Sequence, residues 1–331
     1  MSQFIVLALF SCILVSSSAT EDWNSFFSFI KKYDKSYISL DHLKERFSIY
    51  ISNWKFINQH NYCDEPYCFP KNFTLGENFF TDFTNEEFKE FHNLRLNEYI
   101  GKKCYPFTST TSKLPTEVDW RQENAVTPVK DQGQCGSCWS FSATGSMEGA
   151  WAIKTGDLVS LSEQQLVDCS YGRPYGNLGC NGGEMDEAFQ FAIDNEMCAE
   201  SEYSYEAKKG SCRSCTPIVP VAYCVDVTPN NEVHLAEAVS LGPVSVAIEA
   251  DTQVFQFYKS GVITSSSCGT TLDHGVLVVG YGREAGVDYW LVKNSWGTSW
   301  GENGYVKIEK TSSSNSKGVC GIAMQPSYPV V

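Results

Sequence analysis

Fourteen cysteines lie scattered along this chain, and that number limits what it can become. A reduced cytosolic enzyme rarely carries so many thiols, so the count predicts an oxidising compartment and a disulfide framework. The start of the chain agrees. Residues Phe4–Val15, FIVLALFSCILV, form an apolar run of secretory-leader length, followed by the small residues Ser16, Ser17, Ser18 and Ala19. The run is too short to span a bilayer, and no later one is long enough. A leader over residues 1–19, cut near Ala19, is expected, with no membrane insertion. At 42% hydrophobic content, 331 residues can fill the cores of two or three folding units.

Charge divides the chain. Residues 1–113 carry 13 acidic and 12 basic side chains, whereas residues 114–331 carry 26 and 13, a net charge of −13. So acidic a region is a poor partner for nucleic acid. Apolar residues recur at helical spacing at Trp23, Phe26, Phe27, Ile30 and Tyr33, and again at Leu43, Phe47, Tyr50, Trp54 and Ile57, predicting two amphipathic helices. The polar stretch TSTTSK, Thr108–Lys113, reads as a linker. Beyond it, CWSFSATGSMEGAWAIKTG predicts a buried helix ended by Gly156. SEQQ, Ser162–Gln165, reads as a capping box opening a second helix, and EMDEAFQFAIDN as a third. The later runs VSVAIEA, HGVLVVGYG, DYWLVKNSW and GYVKIEK predict strands. Helices first and strands later make the fold class α+β.

The chemistry starts at GQCGSCWSF, where Cys135 and Cys138 are spaced C-x-x-C. That spacing suits half a zinc site, a redox dithiol, or a disulfide cysteine beside a nucleophilic one. Zinc needs a second cluster, and only CRSC, Cys212–Cys215, offers one. A thioredoxin-like dithiol needs a βαβ context that the surrounding pattern lacks. A nucleophile needs a base. Of five histidines, His42, His60 and His92 precede the linker, and His234 sits in the helical stretch EVHLAEAVS, on its expected solvent face. His274 opens an apolar strand and is the best candidate. Asn294, at the end of the next strand in KNSWGTSWGENGY, can orient the imidazole, and Trp296 can cover that bond from water.

These motifs together make the chain resemble the papain family of cysteine peptidases, in its cathepsin L-like branch, over residues 21–331. The resemblance rests on LPTEVDWR, QGQCGSCWSFSATGSMEG, GCNGG, LDHGVLVVGYG and NSWGTSWGENGY. It implies a two-lobed fold with a helical lobe, a barrel-like β lobe and a cleft between them. It implies Cys138 as nucleophile, His274 as base and then acid, Asn294 as the orienting residue and Gln132 as an oxyanion donor with the Cys138 N–H. Such donors contribute roughly 3–4 kcal/mol each at comparable sites. Substrate would lie on Gly182 and Gly183. The main specificity pocket, taking the side chain second from the scissile bond on its N-terminal side, would be walled by Met185, Ala247, Leu272 and Gly275, with Gln325 at its base and Glu184 at its rim. The implied disulfides are Cys135–Cys180, Cys169–Cys212 and Cys268–Cys320. An extra Cys198–Cys215 bridge is expected, leaving Cys224 unbonded and buried.

The division expected is a leader over 1–19, an inhibitory propeptide over 20–113 and a peptidase domain over 114–331. GENFFTD, Gly76–Asp82, fits the family's G-x-N-x-F-x-D propeptide pattern. The helical propeptide pattern fits at Arg46, Asn53, Ile57 and Asn61, but His42 and Tyr50 replace its Glu and Phe. Cys63 and Cys68 are expected to close a small loop, and Asn72 heads the single N-glycosylation sequon. The function implied is an endopeptidase, since no inserted loop blocks the cleft. It would be made as a zymogen whose propeptide runs backwards through the cleft and loosens in acid, with Asp82 ionised and hydrogen-bonded in the closed state. Cleavage is expected in Thr108–Lys113 or just before Leu114. Its partners would be protein and peptide substrates and its own propeptide. No metal or other cofactor is needed, a monomer is expected, and the compartment would be a lysosome or vacuole before the extracellular space. A catalytically silent binding protein and a thiol acyltransferase are the alternatives on the same scaffold.

Overall fold

The computed structural model describes residues 17–62, 72–91, 94, 104–110, 113–264 and 267–331. Most of the expected leader, the Cys63–Cys68 loop and linker residues 111–112 lie outside them. The described N-terminal part, most of it the expected prosegment, opens with α1 (Ser17–Lys32) and α2 (Leu40–Asn61), the latter capped by Ser39, whose hydroxyl accepts the His42 N–H at 3.1 Å. The helical spacing of their aromatic residues brings Trp23 face to face with Phe47 at 3.6 Å and sets Phe26 and Phe29 against Tyr50. Then come β1 (Phe73–Leu75), a 3-10 turn over Phe79–Asp82, α3 (Asn85–Lys89) and β2 (Tyr105–Pro106).

The remainder runs β3 (Val118–Asp119), α4 (Cys138–Thr155), α5 (Glu163–Cys169), α6 (Met185–Asn195), β4 (Met197–Cys198), β5 (Pro217–Val219) and β6 (Tyr223–Asp226). It continues through α7 (Glu232–Val239), β7 (Val244–Ile248), α8 (Gln253–Gln256), β8 (Tyr258–Ile263), β9 (His274–Glu284), β10 (Val287–Lys293), β11 (Tyr305–Glu309) and β12 (Ser327–Val330). Among the described residues the main sheet of this α+β fold follows the order β1-β8-β11-β10-β9-β7-β12-β6-β2, with β3 beside β9.

Two large cores correspond to the two lobes. One gathers Trp139, Met147, Leu166, Phe189 and Phe191 around α4, α5 and α6. The other gathers Val246, Phe255, Trp290, Trp300 and Ile308 among the strands. Helix α4 lies between them because its surface is small and hydroxylated. Ser142 Oγ donates to Val276 O and Ser146 Oγ to Pro243 O, each at 2.7 Å, so buried carbonyls of the β lobe gain donors where larger side chains would hold the lobes apart. Gly156 ends α4 at φ 84°, a left-handed cap that favours glycine. The SEQQ motif opens α5 with Ser162 accepting the Gln165 N–H, but Gln165 does not bond back to complete the box. Its side chain instead donates to Glu196 O and accepts from Cys198 N.

The chain ends cross between lobes. β3 pairs with β9, while β12 pairs with β6 and β7 and Lys154 of α4 donates to the Val331 carbonyl at 2.6 Å. The disulfides Cys135–Cys180, Cys169–Cys212, Cys268–Cys320 and Cys198–Cys215 are present. Cys224 departs from expectation: it is buried but bonded to Cys104 of the prosegment, 120 residues away. Two cysteines that far apart carry no sequence signal of their pairing; the parallel pairing of β2 on β6 brings them together.

Candidate active site

Cys138 is the first residue of α4 and is the one cysteine among the described residues outside a disulfide. The unsatisfied peptide N–H groups of a helix start favour a thiolate over a thiol there. The Gly275 N–H, arriving from β9, points at Sγ at 3.4 Å. With Cys135 tied to Cys180, the dithiol and paired-zinc readings of the C-x-x-C spacing both fail, and the disulfide instead braces the turn leading into the helix.

His274 comes from the opposite lobe as the first residue of β9 and is fully buried. Its Nε2 lies 2.8 Å from Asn294 Oδ1. Because that oxygen can only accept, Nε2 carries the proton and Nδ1 is the nitrogen left to exchange one with a thiol. The Ser295 N–H donates to the same oxygen at 2.8 Å and so fixes the amide. Trp296 stacks on the imidazole at 4.7 Å and keeps water from the pair. Burial pushes the imidazole down to about 4 against the opposing pull of the Asn294 bond. In this closed state it is neutral near pH 7.

Gln132 is buried, and Ser295 Oγ donates to its Oε1 at 2.7 Å, which aims Nε2 into the cleft. That nitrogen donates to Cys135 O at 3.0 Å and to Phe91 O, a prosegment carbonyl, at 3.2 Å. Tyr205 donates to Gln132 O at 2.8 Å and lies 2.6 Å from Ser137 Oγ. Sequence reading singled out neither Ser295 nor Tyr205; the position of Ser295 beside Asn294 was the available signal for the first, and nothing marks the second.

Met185 begins α6 and is buried against Gly275, where an added Cβ would come within 3.1 Å of the sulfur and 3.2 Å of Trp139 Cα. Ala247 pairs with Gly275 across β7 and β9, and Leu272 is half-buried beside them. Leu94 of the prosegment packs against the helical-lobe core to which Met185 and Ala247 belong. Its N–H donates to Asp273 O at 3.0 Å and it forms a parallel bridge with Gly183, the neighbour of Gly182. Gln325, expected at the base of the pocket, is exposed in the bend before β12. Glu184 is half-buried, and burial together with Asp186, Glu187 and Asp226 pushes its carboxyl up to about 8, so it is uncharged at neutral pH. From Phe91 at Gln132 to Leu94 at the pocket, the prosegment runs opposite to a chain that would place an N-terminal-side residue in that pocket.

The GENFFTD stretch holds this arrangement. Asn78 donates to Gln256 O at 2.6 Å, and Phe80 and Phe88 pack edge-on against Trp296 at 5.7 and 5.3 Å. Asp82 is buried and, as expected, hydrogen-bonded, accepting from Lys35 at 2.8 Å and Tyr37 at 2.9 Å. Arg46 grips Glu87 with two bonds of 2.7 and 2.6 Å, and His42, standing where the family pattern has Glu, accepts from Arg46 Nε at 3.2 Å.

A helix-borne thiol, an amide-oriented imidazole and a buried side-chain amide donor, facing one cleft between two lobes, are the parts of a cysteine-dependent acyl-transfer enzyme. The folded N-terminal segment over them makes this form a precursor. Comparison with known proteins agrees. Residues 114–330 match the model of the papain family cysteine proteases, and residues 26–88 match that of the cathepsin propeptide inhibitor domain. Digestive cysteine proteinase 2 of Homarus americanus is 45% identical, the match covering 98% of this chain and 99% of that protein. The solved structure of digestive procathepsin L 3 from Tenebrio molitor larval midgut is similar with a TM-score of 0.84 at 41% identity, over 94% of this chain and 99% of that one. The recombinant stem bromelain precursor is similar at a TM-score of 0.83 and 38% identity, over 94% and 99%. The chain belongs to the papain family of cysteine proteases; it is a cathepsin L-like cysteine endopeptidase in zymogen form.

Proposed function

We propose that Cys138 is the nucleophile of this peptidase, His274 its base and then its acid, Asn294 the residue that orients His274, and Gln132 with the Cys138 N–H the oxyanion donors. The observation that carries this reading is the Phe91 carbonyl on Gln132 Nε2. A peptide oxygen already accepts from the amide that would bind the developing charge. Removing the prosegment re-admits water to His274 and lets the imidazolium and thiolate form a pair. The thiolate adds to the peptide carbonyl, the imidazolium protonates the leaving amine, and a water activated by the neutral imidazole releases the acyl group.

The specificity expected is a Leu, Val or Phe side chain in the Met185–Ala247–Leu272–Gly275 pocket, where burial contributes roughly 1.5–3 kcal/mol. Leu94 supports this: in the closed form this apolar side chain packs against the core to which Met185 and Ala247 belong. A neutral Glu184 offers a substrate arginine little. We place the leader at 1–19, the propeptide at 20–113 and the peptidase at 114–331, with activation in acid. A protein rich in disulfides suits the secretory pathway and a lysosome or vacuole, and no helix among the described residues is long and apolar enough to cross a membrane. The test is to treat processed enzyme with a thiol-reactive peptide epoxide and map the adduct. The reading requires the label on Cys138 and hydrolysis of a fluorogenic dipeptide by unlabelled enzyme. Labelling without hydrolysis would favour an acyltransferase, and an inert Cys138 a binding protein.

A further inference from the structure

Besides the pairing of β1 with β8 and the contact of Lys89 with Asp251, the prosegment touches the enzyme in two further places. Phe80, Phe91 and Leu94 cover the cleft. Residues Cys104–Thr110 lie elsewhere. Cys104 is bonded to Cys224 of β6. Tyr105 and Pro106 form β2, a parallel strand beside Val225 and Asp226. The Phe107 N–H donates to Asp226 O at 2.9 Å, and its ring packs on the β-lobe core, 5.5 Å from the His234 ring. Glu237 of α7 accepts from Ser109 Oγ at 2.8 Å and from Thr110 Oγ1 at 2.7 Å. None of these contacts involves Cys138, His274, Asn294 or Gln132. Inhibition needs the first set of contacts; the second can persist with the cleft open.

We propose that the Cys104–Cys224 bond keeps residues 104–110 covalently attached to the peptidase body after the chain is cut in the linker, until a thiol reductant opens it. This rests on the zymogen reading above. A cut between Thr110 and Leu114 breaks the peptide connection but leaves the sulfur–sulfur bond, so the segment stays as a cross-linked strand on the β6 edge. An inhibitory part still joined to it is held near the cleft at an effective concentration of the order of millimolar, as for any short tether. Detachment consumes two thiols: two RSH and the Cys104–Cys224 disulfide give two protein thiols and RSSR. A cut before Cys104 instead frees the cleft and leaves residues 104–110 in peptide linkage as well as disulfide linkage.

The experiment uses the oxidised full-length precursor, processed in acid and, in a parallel sample, nicked by a trace of added endoprotease. Free thiols are alkylated at once, the products denatured, and their masses read without and with reductant. The expected result is that every unreduced product carrying Cys224 also carries Cys104, with a Cys104–Cys224 peptide pair in its digest. Reduction then releases the Cys104 fragment from every product cut after Thr110. The Cys104→Ser/Cys224→Ser double variant should shed that fragment in denaturant without reductant. A Cys104 fragment that separates from unreduced wild-type product would overturn the proposal, as would alkylated Cys104 and Cys224 in the unreduced precursor. Epoxide labelling in the same samples separates the two readings: an inert Cys138 defeats the peptidase assignment and leaves the cross-link readable.

Discussion

Replacing Phe80 with alanine probes what holds the cleft shut. The ring is 4% exposed and lies 5.1, 5.3 and 5.8 Å from Phe88, Phe91 and Phe83, all within the prosegment, and 5.7 Å from Trp296 of the enzyme. Truncating a buried Phe costs about 3–5 kcal/mol in a core. Only part of that bears on opening, since the prosegment partners, Phe79 at 5.5 Å among them, leave with the ring. Burying a Phe side chain is worth roughly 1.5–3 kcal/mol, and an aromatic pair adds about 0.5–1.5 kcal/mol. Half the burial plus the Trp296 pair gives about 1.3–3 kcal/mol, or a ~8–150-fold larger open fraction. The assay is the initial rate of Cys138 labelling by the epoxide in unprocessed precursor at neutral pH, which follows that fraction. Phe27→Ala, on a ring 43% exposed, is the control and should stay within about twofold, as surface changes do. Labelling of the Phe80 variant at the wild-type rate, with its prosegment still folded by circular dichroism, would refute the reasoning.

Other outcomes follow from the same contacts. Gln132→Ala should lower kcat about 10²–10³-fold with little change in KM, because its amide serves the oxyanion and not the ground state. Asn294→Ala removes a hydrogen bond worth about 1–3 kcal/mol when its partner is buried. It also removes the one influence raising the His274 pKa, so the alkaline limb of the kcat/KM profile, where the imidazolium is lost, should move to lower pH. Glu87 is held below its ordinary 4.5 chiefly by the Arg46 hydrogen bonds, against burial. A depressed carboxyl contributes stability above its unfolded value that is lost as pH falls through the folded one. The closed form should therefore weaken below about pH 4.5, and Glu87→Gln should flatten the pH dependence of processing. A dipeptide library should rank Leu, Val and Phe above Arg at the second position from the scissile bond, and the reverse order would contradict the apolar pocket.

What the sequence disclosed follows from the range of each interaction. Helices α1, α2 and α4 were legible because spacing, capping and small-residue content are local. Cys138 could be singled out as the candidate because a helix start, a neighbouring disulfide cysteine and a distant base had to be reconciled. The Cys104–Cys224 bond was not legible, since it depends on β2 reaching β6. Nor was the support under the site. Lys130 bonds Glu148 at 2.9 Å and Glu163 at 2.6 Å, and one charged residue inside the apolar run GSMEGA gives no hint of which cation it meets. The exposure of Gln325 was not legible either, because alignment along the chain assigns a position but not an exposure. Ser295 and Tyr205 escaped because their work is to hold Gln132, and a hydroxyl in a loop carries no pattern.

The central claim is that one thiol, at the start of α4, carries out the hydrolysis. The most direct measurement is kcat/KM on a fluorogenic dipeptide for processed wild type and for Cys138→Ala and Cys138→Ser enzymes, both variants processed in trans and freed of the helper protease. The account predicts that both variants fall to the uncatalysed background while their far-ultraviolet circular dichroism matches wild type. Turnover by either variant within tenfold of wild type would contradict it and move the chemistry to another residue.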